Sequence, residues 1–206
     1  MAKYGTRYPV YALFDAETDS ALPSYQTGAV IGKLASVNIT LNVPEAQYYA
    51  DDSIAEEVAE FISGDGELEC DNITDSDLAA LYGATEDQST SEVAMGADDT
   101  PPYFGFGFVT AKMVGGNKKY VGHYFPKCKA KPSGVQSQTK GESITFTGEP
   151  FTFTVYSPLY GAYHYFKTFS SDSDAKSWIN TKLNVSTSQA VTVLTPGETG
   201  NGATGD

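Results

Sequence analysis

Between Tyr48 and Glu60 the chain reads YYADDSIAEEVAE, a run with five carboxylates (Asp51, Asp52, Glu56, Glu57 and Glu60) and no cation. Carboxylates at this density could act as an acid–base pair, ligate a metal or repel a polyanion. Glycoside hydrolysis needs two of them at a fixed separation, and nothing in the sequence sets one. The Asp51-Asp52 pair lacks the regularly spaced oxygens and central glycine of a helix-loop-helix calcium loop. Gly64-Asp65-Gly66-Glu67 fits a plain hairpin turn better than a calcium-binding turn. His123 and His164 lie far apart in sequence, and no CxxC or HExxH occurs. His123 falls in a strand-like aromatic run, where a hydrogen-bonded structural imidazole is expected. Gly105, Gly107, Gly115 and Gly116 miss both the dinucleotide and the phosphate-loop patterns, and no GxSxG nucleophile turn is present. The expectation is a protein without catalytic residues, metal or cofactor, and not an enzyme.

The charge has structure even where chemistry does not. Of 206 residues, 26 are acidic and 13 basic, a formal net charge of -13. Up to Thr100 the cations are Lys3, Arg7 and Lys33. Between Pro101 and Pro150, Lys112, Lys118, Lys119, Lys127, Lys129, Lys131 and Lys140 face only Glu142 and Glu149. Two poles on one chain suit head-to-tail association of copies, and a solvated acidic surface is the plainer reading. Tight nucleic-acid binding is disfavoured because the acidic excess repels phosphates. No apolar run is long enough for a membrane span, and the N-terminal residues lack the pattern of a signal peptide, so synthesis in a cytoplasm is expected. Cys70 and Cys128 occur in unlike contexts and are expected as reduced, partly buried thiols.

The elements that must position these groups are mostly strands. Residues 8–14, 33–43, 103–110, 118–126 and 143–156 carry β-type patterning, the last divided by a turn at Gly148-Glu149-Pro150. In Lys33 to Val43, Ala35, Val37, Ile39, Leu41 and Val43 alternate with polar residues, marking a half-buried strand. Phe104, Phe106 and Phe108 share one face, while Gly105 and Gly107 leave the other open to close approach by a neighbouring layer. Thr74 to Gly83 predicts a capped short helix, and Ser171 to Leu183 a second with Ala175, Trp178, Ile179 and Leu183 on one face. Residues 46–61 are ambiguous: the spacing leans helical, yet Ile54, Glu56, Val58, Glu60 and Ile62 also alternate as in a strand.

Six segments in order complete the pattern. They are Tyr49-Ala50-Asp51-Asp52 with its acidic run; Gly66 to Asp71 leading into Asp77 to Gly83; Pro102 to Phe108; Tyr124-Phe125-Pro126-Lys127-Cys128; Thr139 to Ile144; and the Asp174 to Leu183 helix. Together they resemble the major tail protein, or tail tube protein, of long-tailed bacteriophages (siphophages). The resemblance spans residues 1–184, a tail-tube β domain, and leaves 185–206 as a Ser/Thr/Gly-rich tail. It implies a mainly β, antiparallel sandwich or barrel-like core with a flanking α-helix, a long β-hairpin and a C-terminal helix. It also resolves residues 48–71 as strand-loop-strand rather than helix.

What the resemblance implies about function is structural. Copies would form hexameric rings stacked into a tube for genome ejection, with tape-measure, tail-terminator and distal tail proteins as further partners. DNA would pass without specific binding, no membrane would be engaged, and the location would be the virion tail after assembly in the host cytoplasm. Candidate subunit or ring contacts are Tyr48, Tyr49, Asp51, Asp52, Lys118, Lys119, Lys129 and Lys131. Candidate lumen-facing acids are Asp51, Asp52, Glu56, Glu57 and Glu60. A carbohydrate-binding β-sandwich, or a baseplate or tail-terminator module, is the alternative.

Overall fold

The computed structural model describes residues 3–50, 53–87, 89–90, 92–132 and 148–186. The strands are β1 (Lys3–Ala16), β2 (Ser24–Tyr25), β3 (Ala29–Val30), β4 (Leu34–Asn42), β5 (Glu45–Ala50), β6 (Ser53–Ala59), β7 (Ser63–Cys70), β8 (Thr85–Asp87), β9 (Glu92–Ala94), β10 (Tyr103–Val114), β11 (Asn117–Lys131), β12 (Glu149–Tyr156) and β13 (Tyr165–Phe169). Helix α1 (Asp75–Tyr82) precedes β8, and α2 (Asp172–Lys182) follows β13. The main sheet runs β2-β1-β10-β11-β12-β7-β4, with β3 paired to β1 and β13 paired to β11. Every ladder in it is antiparallel, which makes the chain a mainly β, sandwich-like fold with two helices.

The sandwich arises because β11 changes partners halfway. Its residues 120–124 pair with β13 and its residues 127–131 pair with β12, both on the edge away from β10. Between them the β10–β11 register slips from Phe106↔Phe125 to Phe104↔Cys128, an extra residue on β11 at Pro126. Proline has no N–H to give a ladder, so the strand bends there at little hydrogen-bonding cost. The freed Pro126 carbonyl accepts from Tyr25 Oη at 2.7 Å, which leaves Tyr124 Oη to donate to Tyr25 Oη at 2.6 Å. Burial pushes the Tyr124 hydroxyl up to about 12 and raises Tyr25 further. On the other flank β1 carries its own bulge at Tyr8-Pro9, with Tyr8 at φ 59. That left-handed backbone costs a non-glycine residue about 1–2 kcal/mol. Tyr8 is held by Oη donating to Asn180 Oδ1 at 2.9 Å and by the Lys176 ammonium 5.2 Å from its ring centroid.

Two cores lie on opposite faces of β1, β10 and β11. On one, Phe104, Phe106 and Phe108 meet Phe151 and Phe153 of β12, Leu68 of β7, Leu34 of β4 and Leu81 of α1. The rings of Phe106 and Phe153 are 5.1 Å apart, and those of Phe104 and Phe151 6.2 Å. Leu34 joins Val37 and Ile39 in this core because a bulge at Ala35 shifts the alternation by one residue. On the other face α2 lies across the strands and buries Ala175, Ile179 and Leu183. Its seat is a glycine groove. A Cβ at Gly105 would come 2.6 Å from Leu183 Cδ2 and the Tyr25 ring, one at Gly107 2.7 Å from Ile179 Cγ2, and one at Gly122 2.9 Å from Trp178 Cε3. The close approach expected at Gly105 and Gly107 is therefore made by a helix.

Both helices start and stop as their sequences dictate. Thr74 caps α1 by accepting from the Asp77 N–H, and Gly83 ends it at φ 69. Ser171 caps α2 by accepting from the Ser173 N–H. Other expectations are corrected. Gly64 to Glu67 form no turn but the middle of β7, paired on both edges by β4 and β12. Glu149 and Pro150 are strand residues opposite Cys70 and Glu69 rather than a turn, because β7 offers them a ladder that local propensity does not foresee. Residues 143–147 lie outside the described residues.

A Gly105→Ala substitution is expected to lower stability by about 1–3 kcal/mol, since neither Leu183 nor the Tyr25 ring can retreat without opening the groove. Chemical denaturation followed by Trp178 fluorescence measures it, and Gly115→Ala, with open space around its Cβ, is the comparison for backbone strain alone.

Candidate assembly surfaces

The acidic stretch is an antiparallel arm, not a helix. The β4–β7 ladder ends at Asn42↔Ser63, and the Ile62 N–H donates to the Asn42 carbonyl at 3.2 Å. The chain continues as β5 and β6, paired from Glu45↔Ala59 to Ala50↔Ser53. Tyr48 sits opposite Glu56, Gln47 opposite Glu57 and Tyr49 opposite Ile54. Asp51 and Asp52 lie outside the described residues, and Glu60 is exposed just past β6. Among the described residues β5 and β6 pair only with each other. A lone two-stranded hairpin is marginally stable in water, so the arm needs a surface to lie on.

The root of the arm is apolar where it leaves the core. Val37 and Ile39 pack in the interior, and Leu41 and Val43 continue the same alternation into solvent, each 41% exposed. Ile62 beside them is 60% exposed. Phe61 steadies the root by stacking on Tyr163 with ring centroids 3.9 Å apart. Two edges of the main sheet are unpaired among the described residues: the outer edge of β4, which faces β1 across a cleft, and the outer edge of the five-residue β13. On β13 Phe166 is 67% exposed, and Leu159 in the preceding loop is 66% exposed.

The basic pole divides into engaged and available lysines. Lys127 Nζ contacts Glu17 Oε2 at 2.6 Å, with the two side chains only 13% and 15% exposed, and its ammonium lies 4.6 Å from the Tyr103 ring centroid. The other Glu17 oxygen accepts from the Leu159 N–H at 2.9 Å. Lys131 pairs with Asp65. Lys131 is thus satisfied within its own chain, which weakens its candidacy as a contact to a neighbour. Lys119 donates to Ser170 Oγ at 3.0 Å, Lys118 lies over Tyr4 and Tyr120, and Lys129 lies over Tyr103. Among the described residues these three make no carboxylate ion pair.

One acidic surface escaped the sequence reading. Asp65, Glu67 and Glu69 form a row on the outer face of β7, alternating with inward Gly64, Gly66, Leu68 and Cys70. The alternation GDGELEC is its signal, obscured because two glycines suggest a turn. Gly66 is required for packing, since a Cβ there would lie 2.4 Å from the Phe153 ring. A shallow cleft of about 360 Å³ lies along this face beside Asn38, Thr40 and Thr152.

His123 and His164, distant in sequence, are brought together. His123 Nδ1 lies 3.2 Å from His164 Nε2, and His123 Nε2 lies 3.1 Å from Thr110 Oγ1. His123 is buried and hydrogen-bonded as expected, but it is not alone. Thr110 and His123 form the floor of a second cleft, of about 480 Å³, between β1 and β4. Both cysteines are buried, and burial pushes the Cys128 thiol well up, away from the reactive thiolate. Among the described residues no three His, Cys, Asp or Glu side chains gather as a metal site, and no helix is long and apolar enough to cross a membrane. No protein-family model and no curated protein matches the sequence.

Lys127→Met is expected to cost about 1–3 kcal/mol by leaving Glu17 charged and shielded, whereas Lys131→Met costs under about 1 kcal/mol at an exposed pair. Urea midpoints of the two variants measure the difference, and equal losses would show that the Glu17 pair is solvated.

Proposed function

We propose that this chain is a structural subunit of a phage tail tube, whose copies join into rings and whose rings stack around a bore for DNA. The observation that carries the reading is the β5–β6 arm: it continues the β4–β7 ladder off the body, and its root exposes Leu41, Val43 and Ile62. Free strand edges at β4 and β13 support it, because unpaired N–H and C=O groups on one copy accept a strand from the next. A ring of identical copies needs unlike patches that meet with a closing rotation, and two different open edges on one body meet that need.

The electrostatics fit a conduit. A wall of lysines would hold DNA through phosphate contacts, whereas an acidic wall repels it only within a Debye length, about 8 Å at physiological salt. Asp51, Asp52, Glu56, Glu57 and Glu60 remain proposed for the lumen or for contact with a neighbour's lysines. Lys118, Lys119 and Lys129 are the lysines proposed to receive them. The outward row Asp65, Glu67 and Glu69 joins the lumen candidates. Tyr48 and Tyr49 are proposed as anchors against a neighbour, since tyrosine combines apolar area with a polar tip. The carbohydrate-binding alternative draws little from Trp178, which packs against Tyr124 and Phe169 rather than lining a cleft. A baseplate or terminator ring would share the same edges and would stop at a single ring.

Electron microscopy of the concentrated protein is expected to show rings and stacked tubes, and replacing residues 45–59 by an Asn-Gly turn is expected to abolish tubes while the body still folds. Tyr49→Ala is expected to weaken assembly. Dispersed wild-type particles at high concentration, or unimpaired tubes without the arm, would refute the proposal.

A further inference from the structure

In a chain of net charge -13, lysines gather around one short strand. The β10–β11 ladder sets Lys112 directly opposite Lys119. Like charges placed so destabilise a ladder, and an acidic neighbour turns that cost into attraction. Lys112 Nζ reaches over β11 to donate to Thr168 Oγ1 of β13 at 3.1 Å, and Lys119 Nζ donates to Ser170 Oγ at 3.0 Å, just past the end of β13. Lys167 is an exposed residue of β13 itself. Lys118, its ammonium 5.4 Å from the Tyr120 ring centroid, completes the group. Among the described residues none of these lysines makes a carboxylate ion pair.

The cations flank β13 from both sides of the sheet. Alternation and register put Lys112, Lys119, Phe166 and Thr168 on one face, and Lys118, Lys167 and Phe169 on the other. One edge of β13 pairs with β11, and the other is unpaired among the described residues. A lysine in the middle of a free edge discourages neutral and basic strands from adding to it. An acidic strand is the kind it admits.

The chain carries such a strand. β6 holds Glu56 and Glu57, which as consecutive strand residues take opposite faces. Its inner edge is used by β5, and its outer edge is unpaired among the described residues. Added to β13, one glutamate meets the face of Lys112 and Lys119 and the other meets the face of Lys118 and Lys167, whichever way the strand runs. Ile54 and Val58 share the Glu56 face, which gives Phe166, 67% exposed, an apolar partner beside the charges. Within one copy β6 leaves its own β13 unpaired, so the strand that fills the edge comes from another copy.

We propose that the outer edge of β13 is the docking site for β6 of a second copy, joined by main-chain pairing, with Glu56 and Glu57 set among the lysines of the two faces. The docking rests on the tail-tube reading for its closed ring and adds to it the two edges that meet. β13 offers five residues, a short ladder, so charge matching carries much of the selectivity.

The test mixes isotope-labelled and unlabelled copies of the full chain and joins them with a carbodiimide, which links a carboxylate to an ammonium without a spacer. Mixed-label peptides joining Glu56 or Glu57 to Lys112, Lys118, Lys119 or Lys167 are expected. Lys119→Glu with Lys167→Glu in one variant, and Glu56→Lys with Glu57→Lys in another, are each expected to weaken self-association in sedimentation by about tenfold or more. An equal mixture of the two variants is expected to restore it, because each then offers the other an opposite charge, and restoration shows that both are folded. Links confined to single chains, a mixture that stays dissociated, or assembly indifferent to both reversals would overturn the docking, and rings seen under those conditions would leave the tube reading standing. Mixed-label links and restored association without rings or tubes would refute the tube reading and leave the docking. A wild-type chain that stays monomeric at high concentration would refute both.

Discussion

The bend of β11 at Pro126 is the constraint from which the architecture follows. A strand without that interruption would keep one neighbour along its whole edge, and the sheet would stay open with both faces of β10 in water. With the bulge, the two halves of β11 point toward different layers. One half recruits β12, and with it β7 and β4, over the phenylalanine face. The other recruits β13 and the helix that follows it over the glycine face. Tyr25 answers the exposed Pro126 carbonyl, and Tyr124 answers Tyr25, so the bend leaves no buried hydroxyl or carbonyl of this trio without a partner.

This arrangement also explains why the functional candidates sit at the periphery. The interior is filled from both sides by aromatic rings and a glycine-seated helix. What remains open is strand edge, arm and charged face. The β4–β7 ladder serves two purposes: within the body it closes the phenylalanine core, and beyond Asn42 and Ser63 the same two segments become the arm. A perturbation of the core at Leu68 or Phe153 therefore acts on the arm root through a continuous hydrogen-bonded ribbon, while the Phe61–Tyr163 stack ties that root to the loop before β13.

Electrostatics within the chain separate structure from surface. Glu17 and Lys127 are shielded and mutually satisfied, and they pin the loop after β1 to the loop after β12. Among the described residues Lys118, Lys119 and Lys129 rest on aromatic faces or a hydroxyl rather than on carboxylates. Cation–π contacts of that kind hold a side chain in place while keeping its charge available.

Strand patterning, the two capped helices and the phenylalanine and glycine faces of β10 were legible in the residues, because alternation and capping are local properties. Local rules failed where a distant partner decided. Gly64 to Glu67 carry turn residues, yet neighbours on both edges make them a strand. Residues 46–61 fit helix or strand by spacing alone, and the ladder of β4 and β7 that leads into them settles the hairpin of β5 and β6. His123 and His164 meet only because β11 and β13 pair in one register, and Asp65, Glu67 and Glu69 become a surface only once β7 has a buried side. Sequence by itself determined which segments could be strands and which faces were apolar; tertiary structure decided which edges were consumed and which were left open, since pairing energy depends on segments far apart in the chain.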